Sequence, residues 1–134
     1  MRHLLTLVEG LAPGGRVVMG GDFNTSTGSH AERHGDPAAW AAVLVADPMR
    51  LLRPYAHEPL FAVADEFGFD WQGCNVIDAP TTRYPAGSIR PPAKIDWIFT
   101  RGVVAQDAAI IAALRADGTP STDHDGLFVA VTPA

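Results

Sequence analysis

The sequence predicts one mixed α/β (α+β) domain, on three observations. Apolar residues recur at helical spacing in the opening segment, and two further segments read as helices from their caps and composition. Several short apolar runs, bounded by glycine, proline or polar residues, have the length of strands. Polar loops leave the ends of those runs, the pattern of connections at a sheet's rim.

Leu4, Leu7, Val8 and Leu11 fall at helical spacing, and the helix they predict ends before Pro13-Gly14-Gly15. Arg16 to Gly20 follows as a short apolar run after a glycine turn, the mark of a buried strand. Gly21 to Gly35 is rich in Gly, Ser, Thr, Asn and His and reads as a loop. Asp36 before Pro37 looks like a helix cap, so Ala38 to Ala46 should be helical until Asp47-Pro48. Another helix is expected from about Glu58-Pro59 to Phe67, stopped by Gly68. Asp78 to Pro92 carries four prolines and reads as an irregular surface excursion. Lys94 to Thr100 is a strand leading into a turn at Arg101-Gly102. Val103 to Leu114 fits either period, with a strand favoured for its middle. Ala116 to Asp125 is loop, and Leu127 to Val131 a last strand. Trp40, Phe61, Phe67 and Trp71 read as core rather than a base-stacking platform.

With 134 residues, 47% hydrophobic and 19% charged, the chain supports one domain with a modest core. No apolar run approaches the roughly 18–20 residues that span a bilayer, and Met1 to Val8 reads as an amphipathic helix rather than a signal peptide. Cys74 stands alone, which excludes an internal disulfide and a cysteine zinc cluster and fits a cytoplasmic protein. The formal charge of −5 argues against wrapping nucleic acid by charge alone, but not against a local basic strip.

Chemistry concentrates at three places. Asp22 and Asn24 follow the first strand, Asp96 lies inside the run Lys94 to Phe99, and Asp123 and His124 precede the last strand. A carboxylate between Ile95 and Trp97 is costly to place in a sheet without a partner, and His124 is the natural candidate. Phosphoester hydrolysis needs such a set: carboxylates to hold a divalent cation, a base for water, and a donor facing the phosphoryl oxygens. The plainer readings are turn residues for Asp22 and Asn24, an exposed Asp96–Lys94 pair, and a surface loop around His124. His30 and His34 have the spacing of a helical metal pair but lie in a Gly- and Ser-rich loop; His57 and His3 read as surface residues. A serine hydrolase is disfavoured because no Gly-x-Ser-x-Gly turn is present. Arg83, Arg90 and Lys94 either contact a phosphorylated substrate or solvate a loop.

Gly21-Asp22-Phe23-Asn24-Thr25, Lys94-Ile95-Asp96-Trp97-Ile98-Phe99 and Ser121-Thr122-Asp123-His124, in this order, resemble three signature blocks of the endonuclease/exonuclease/phosphatase superfamily. The resemblance implies a deoxyribonuclease-I-like fold, a four-layer α/β sandwich, of which residues 1–134 would be the C-terminal half. It implies that Asp22 positions and deprotonates the attacking water and that Asn24 holds the water or a phosphate oxygen. Asp96 would orient His124, His124 would bind the scissile phosphate, and Asp123 would sit at a Mg²⁺ or Mn²⁺ ion. Thr122 stands where the family has a serine, keeping the hydroxyl. The family's first half supplies a metal-binding glutamate, an asparagine and a further histidine, so upstream sequence or a partner chain would have to provide them here. Glu9 lies on the first helix rather than after a strand and does not inherit that role. The expected activity is metal-dependent hydrolysis of a phosphodiester or phosphomonoester, nucleic acid included among the substrates. The alternative is a non-catalytic remnant that only binds a phosphorylated ligand or a partner. Fold does not choose the substrate.

Overall fold

The computed structural model of the chain describes residues 1–25, 41, 45, 60–84, 87–88 and 92–134. In chain order these form α1 (Arg2–Leu11), β1 (Val17–Asp22), α2 (Leu60–Glu66), β2 (Asp96–Arg101), β3 (Val103–Ile111) and β4 (Gly126–Pro133). β1 pairs with β2 and β3 with β4, both antiparallel, giving a mixed α+β architecture of two small sheets and two helices. The expected helix over Ala38 to Ala46 with its Asp36 cap, and Trp40, His30, His34, His57 and Arg90, lie outside the described residues, Ala41 and Val45 aside. No helix among the described residues is long and apolar enough to cross a membrane.

α1 carries two apolar stripes, and of the four residues whose spacing predicts the helix it is Val8 that meets the core. Leu5 is fully buried and Met1 and Val8 pack beside it, while Leu4, Leu7 and Leu11 are 46%, 58% and 78% exposed. Both stripes obey the helical period, so spacing alone does not select the inward face.

β1 runs two residues beyond the expected strand, because Gly21 and Asp22 pair with Trp97 and Asp96. It is not buried on both faces as expected. Val17 and Met19 pack on the core, whereas Val18 is 51% exposed because no described element covers its side. β2 is the central strand. Beyond its pairing with β1, its outer edge is closed by Asp70, whose backbone exchanges bonds of 2.7 and 2.8 Å with Thr100. Asn75 does the same with its side chain, donating to Ile98 O at 2.6 Å and accepting from Ile98 N at 3.0 Å. Gly102 makes the turn into β3 at φ 68°, with the Arg16 backbone 3.4 Å from where a Cβ would stand.

α1, α2 and the β1–β2 sheet enclose the core: Leu5, Leu60, Phe61, Val63, Ala64, Phe69, Trp97 and Phe99. Phe61 packs at 4.7 Å against Trp97 and 4.5 Å against Trp71, and Phe67 lies against the same cluster, so these aromatics are core residues as expected. The ambiguous segment after Gly102 is a strand, with a bulge between Gln106 and Ala109 where Asp107 takes φ 53°. No residue of β3 or β4 is buried, and Val104, Ile111, Phe128 and Val131 are 41–54% exposed.

Candidate active site

The register of the first sheet assembles the site's first half. β1 ends and β2 begins at directly opposed residues, Asp22 and Asp96, so their carboxylates share one face at the sheet's end. Two like charges placed opposite one another are destabilising unless a cation or donor stands between them. Asp22 is fixed by the turn that follows: its Oδ1 accepts from Asn24 N at 2.8 Å, and Asn24 takes φ 50°, a conformation asparagine tolerates. The turn reading of these residues and the site reading therefore coexist in one geometry.

His124 comes from the other end of the chain, held by a strip of the proline-rich excursion. Arg83 N donates to Asp123 O at 2.7 Å and Asp125 N to Thr81 O at 2.8 Å, with Thr82 opposite His124 between them. On its other side the strip is tied to the approach to β2. Thr81 Oγ1 accepts from Ile95 N at 3.2 Å and Asp96 N at 3.1 Å, and Thr82 Oγ1 accepts from Ala93 N at 2.7 Å. The excursion expected to run over the surface thus buries Thr81 and Thr82 at 0% and 2% exposure, where they connect Asp96 to His124.

The result is an aspartate–histidine pair facing a second aspartate. His124 Nδ1 lies 3.0 Å from both carboxylate oxygens of Asp96. Because a carboxylate only accepts, Nδ1 carries the proton and Nε2 is left for other work. Burial alone would lower the imidazole's pKa. The Asp96 hydrogen bond and the charges of Asp96, Asp123 and Asp22 outweigh it, and the pKa is raised above its ordinary value. Ligand atoms of Asp22, Asp96 and His124 all lie within 4.8 Å of one another, with Asp96 buried, His124 half-buried and Asp22 exposed. Two carboxylates beside an imidazole suit a hard divalent cation.

Asp123 stands outside that trio, near enough to add to the charge felt by His124. The side chain of Asn24 is exposed. Arg83 does not simply solvate a loop: its guanidinium pairs with the buried Asp125 at 2.9 Å, and Asp125 also accepts from Ala113 N at 2.9 Å. Burial would raise the pKa of Asp125, but Arg83 and the Ala113 amide hold it below the usual carboxylate value. Lys94 is neither a surface residue nor a partner of the Asp96 carboxylate. It is 1% exposed, donates to the Asp96 backbone oxygen at 2.7 Å, and sits 4.4 Å from the centre of the Trp97 ring. Glu9 pairs with Arg101 and takes no part in the site. The sequence reading missed Thr81, Thr82 and Asp125. The signal available for the first two was a strand-like Thr81-Thr82-Arg83-Tyr84 run hidden among prolines. No protein-family model, curated protein or solved structure matches the chain.

Proposed function

We propose that the chain is the C-terminal portion of a metal-dependent phosphoesterase of the endonuclease/exonuclease/phosphatase superfamily, hydrolysing a phosphodiester or phosphomonoester by in-line attack of water. The observation that carries this reading is the His124–Asp96 pair, 3.0 Å apart, with Asp22 directly across the sheet from Asp96. Asp22, exposed and oriented by the Asn24 amide, takes the proton of the attacking water. Asn24, on the same turn, holds that water or a phosphate oxygen. Asp96 keeps His124 in one tautomer and favours its charged form, and His124 Nε2 donates to a phosphoryl oxygen as charge builds there. Asp123 would sit at a Mg²⁺ or Mn²⁺ ion, directly or through water, beside the Asp22–Asp96–His124 cluster, and that ion would neutralise the phosphate's charge.

The open apolar faces of α1 and of β3–β4 support placing this chain as half of a four-layer sandwich, the other half supplied upstream or by a partner. The same faces favour a second reading, a remnant that binds a phosphorylated ligand or partner without turnover. The test is hydrolysis of bis(p-nitrophenyl) phosphate with Mg²⁺ by the chain extended upstream in its reading frame. Asp22→Ala and His124→Ala should each lower the rate by about 10²–10⁴-fold. Undiminished turnover in both variants refutes the assignment; phosphate binding without turnover by the extended protein favours the second reading.

A further inference from the structure

Between β3 and β4 the chain folds back on itself beside the His124 loop. Leu114 bridges Pro120, Arg115 N donates to Thr119 O at 2.8 Å, and Gly118 N closes a turn on Arg115 O at 2.9 Å. Gly118 adopts φ 81°, as such a turn requires. At the base of this arm Ser121 grips Ala113 O twice, by its amide at 2.8 Å and its hydroxyl at 2.9 Å. The rungs 113/121, 114/120 and 115/119 lead away from Asp123 and His124, so Arg115 stands at the arm's outer end.

The arm and the Arg83 strip border an open cleft of about 360 Å³ whose lining includes Arg83, Arg115, Thr119, Ser121, Thr122 and Asp123. That is room for a phosphate together with the sugar or ring that bears it. Charge is divided along the cleft. Asp123 lies next to His124, and Arg83 is engaged by Asp125. Among the described residues the Arg115 guanidinium donates to Thr119 Oγ1 at 3.4 Å and forms no ion pair; the nearest acidic group on the turn, Asp117, is engaged by the Thr119 amide and hydroxyl. An exposed guanidinium on an ordered turn, with no ion pair among the described residues, offers the donor fork that phosphate selects.

We infer that this cleft receives a second phosphate of the substrate, flanking the scissile one, with Arg115 as its charged contact. The inference rests on the reading that His124 faces the scissile phosphate. It narrows the substrate class to molecules bearing two phosphates, the reacting one at the Asp22–Asp96–His124 end and the other at the arm.

Two measurements test it. The first compares thymidine 5′-(p-nitrophenyl phosphate) with and without a 3′-phosphate. The extended protein should prefer the doubly phosphorylated compound, and Arg115→Ala should reduce that preference in kcat/KM about tenfold, with Arg115→Lys between. The second is independent of turnover: inorganic pyrophosphate should shift the amide resonances of Arg115, Thr119, Ser121 and Thr122, with about tenfold weaker binding in Arg115→Ala. Pyrophosphate binding that depends on Arg115 without any hydrolysis would uphold the cleft and count against the phosphoesterase reading. An unchanged preference in an active Arg115→Ala enzyme, or pyrophosphate binding indifferent to Arg115, overturns the inference.

Discussion

Replacing Lys94 by methionine should stabilise the chain at neutral pH, although the residue is fully enclosed. Its ammonium has one hydrogen-bond acceptor, Asp96 O at 2.7 Å, and the Trp97 ring 4.4 Å away, but no paired carboxylate among the described residues. Burial lowers its pKa from 10.5 to about 8, against the opposing pull of Asp96 and Cys74. The unfolded lysine titrates near its ordinary value, so below pH 8 both states are charged and the folded state carries the whole desolvation cost. The shift corresponds to about 3 kcal/mol relative to a neutral amine. Methionine fills a similar space without charge but leaves the Asp96 carbonyl short of a donor, which costs about 1–2 kcal/mol. The net expectation at pH 7 is a gain of about 1–2 kcal/mol. As pH rises from about 8 towards 10.5 the folded lysine is neutral while the unfolded one stays charged, so the wild type gains stability and the variant's advantage disappears. Urea unfolding followed by tryptophan fluorescence at pH 7 and pH 10 measures both. Burial and Asp70 push the Cys74 thiol up, an opposing alkaline effect coupled to Lys94, so the two proteins are compared in a Cys74→Ala background. A variant less stable than wild type at pH 7, or a difference that does not change with pH, refutes the reasoning.

Asp96→Asn should lower the His124 pKa from its raised value, because burial then acts with less opposing charge. In the wild type the pair's stabilisation is present below the unfolded pKa and lost as pH rises through the raised folded value; the variant should lack that loss, and an unmoved imidazole titration by NMR would sink the assignment. Arg101→Ala should cost about 3 kcal/mol in a melt, since its guanidinium pairs with Glu9, donates to the carbonyls of Ala12, Gly15 and Phe67, and lies over Phe69. Arg101→Lys should recover less than half; a loss under about 1 kcal/mol in the alanine variant contradicts the clamp. The chain alone should self-associate in sedimentation velocity through its open apolar faces, and Leu7→Asp with Phe128→Asp should suppress it. A monodisperse monomer at all concentrations would show those faces to be tolerated as they stand.

What the sequence could show here follows from which interactions are local. Strands around Val17, Trp97 and Leu127 are written in runs of apolar residues, and the Arg101-Gly102 turn in a glycine that the backbone requires. Asp96 was suspect because a carboxylate inside such a run needs a partner. The opposition of Asp22 to Asp96, by contrast, is a matter of register, and a slip of one residue would send Asp22 to the other face of the sheet. Neither strand alone sets that register. It is fixed by contacts between residues distant in the chain, at the two ends of the pairing: Trp97 Nε1 donates to Thr25 O at 2.7 Å and Phe23 N to Ile95 O at 3.0 Å beyond Asp22, and Arg101 donates to the carbonyls of Ala12 and Gly15 ahead of β1. The same cause hid Lys94, whose burial depends on Trp97 and the segment around Cys74 folding over it. A serine in place of Thr81 would keep the hydroxyl that holds the Asp96 amide, whereas valine would leave two buried N–H groups unsatisfied. If Thr81 sets the site, Thr81→Val should therefore loosen the His124–Asp96 pair and cost activity out of proportion to stability, with Thr81→Ser restoring most of both.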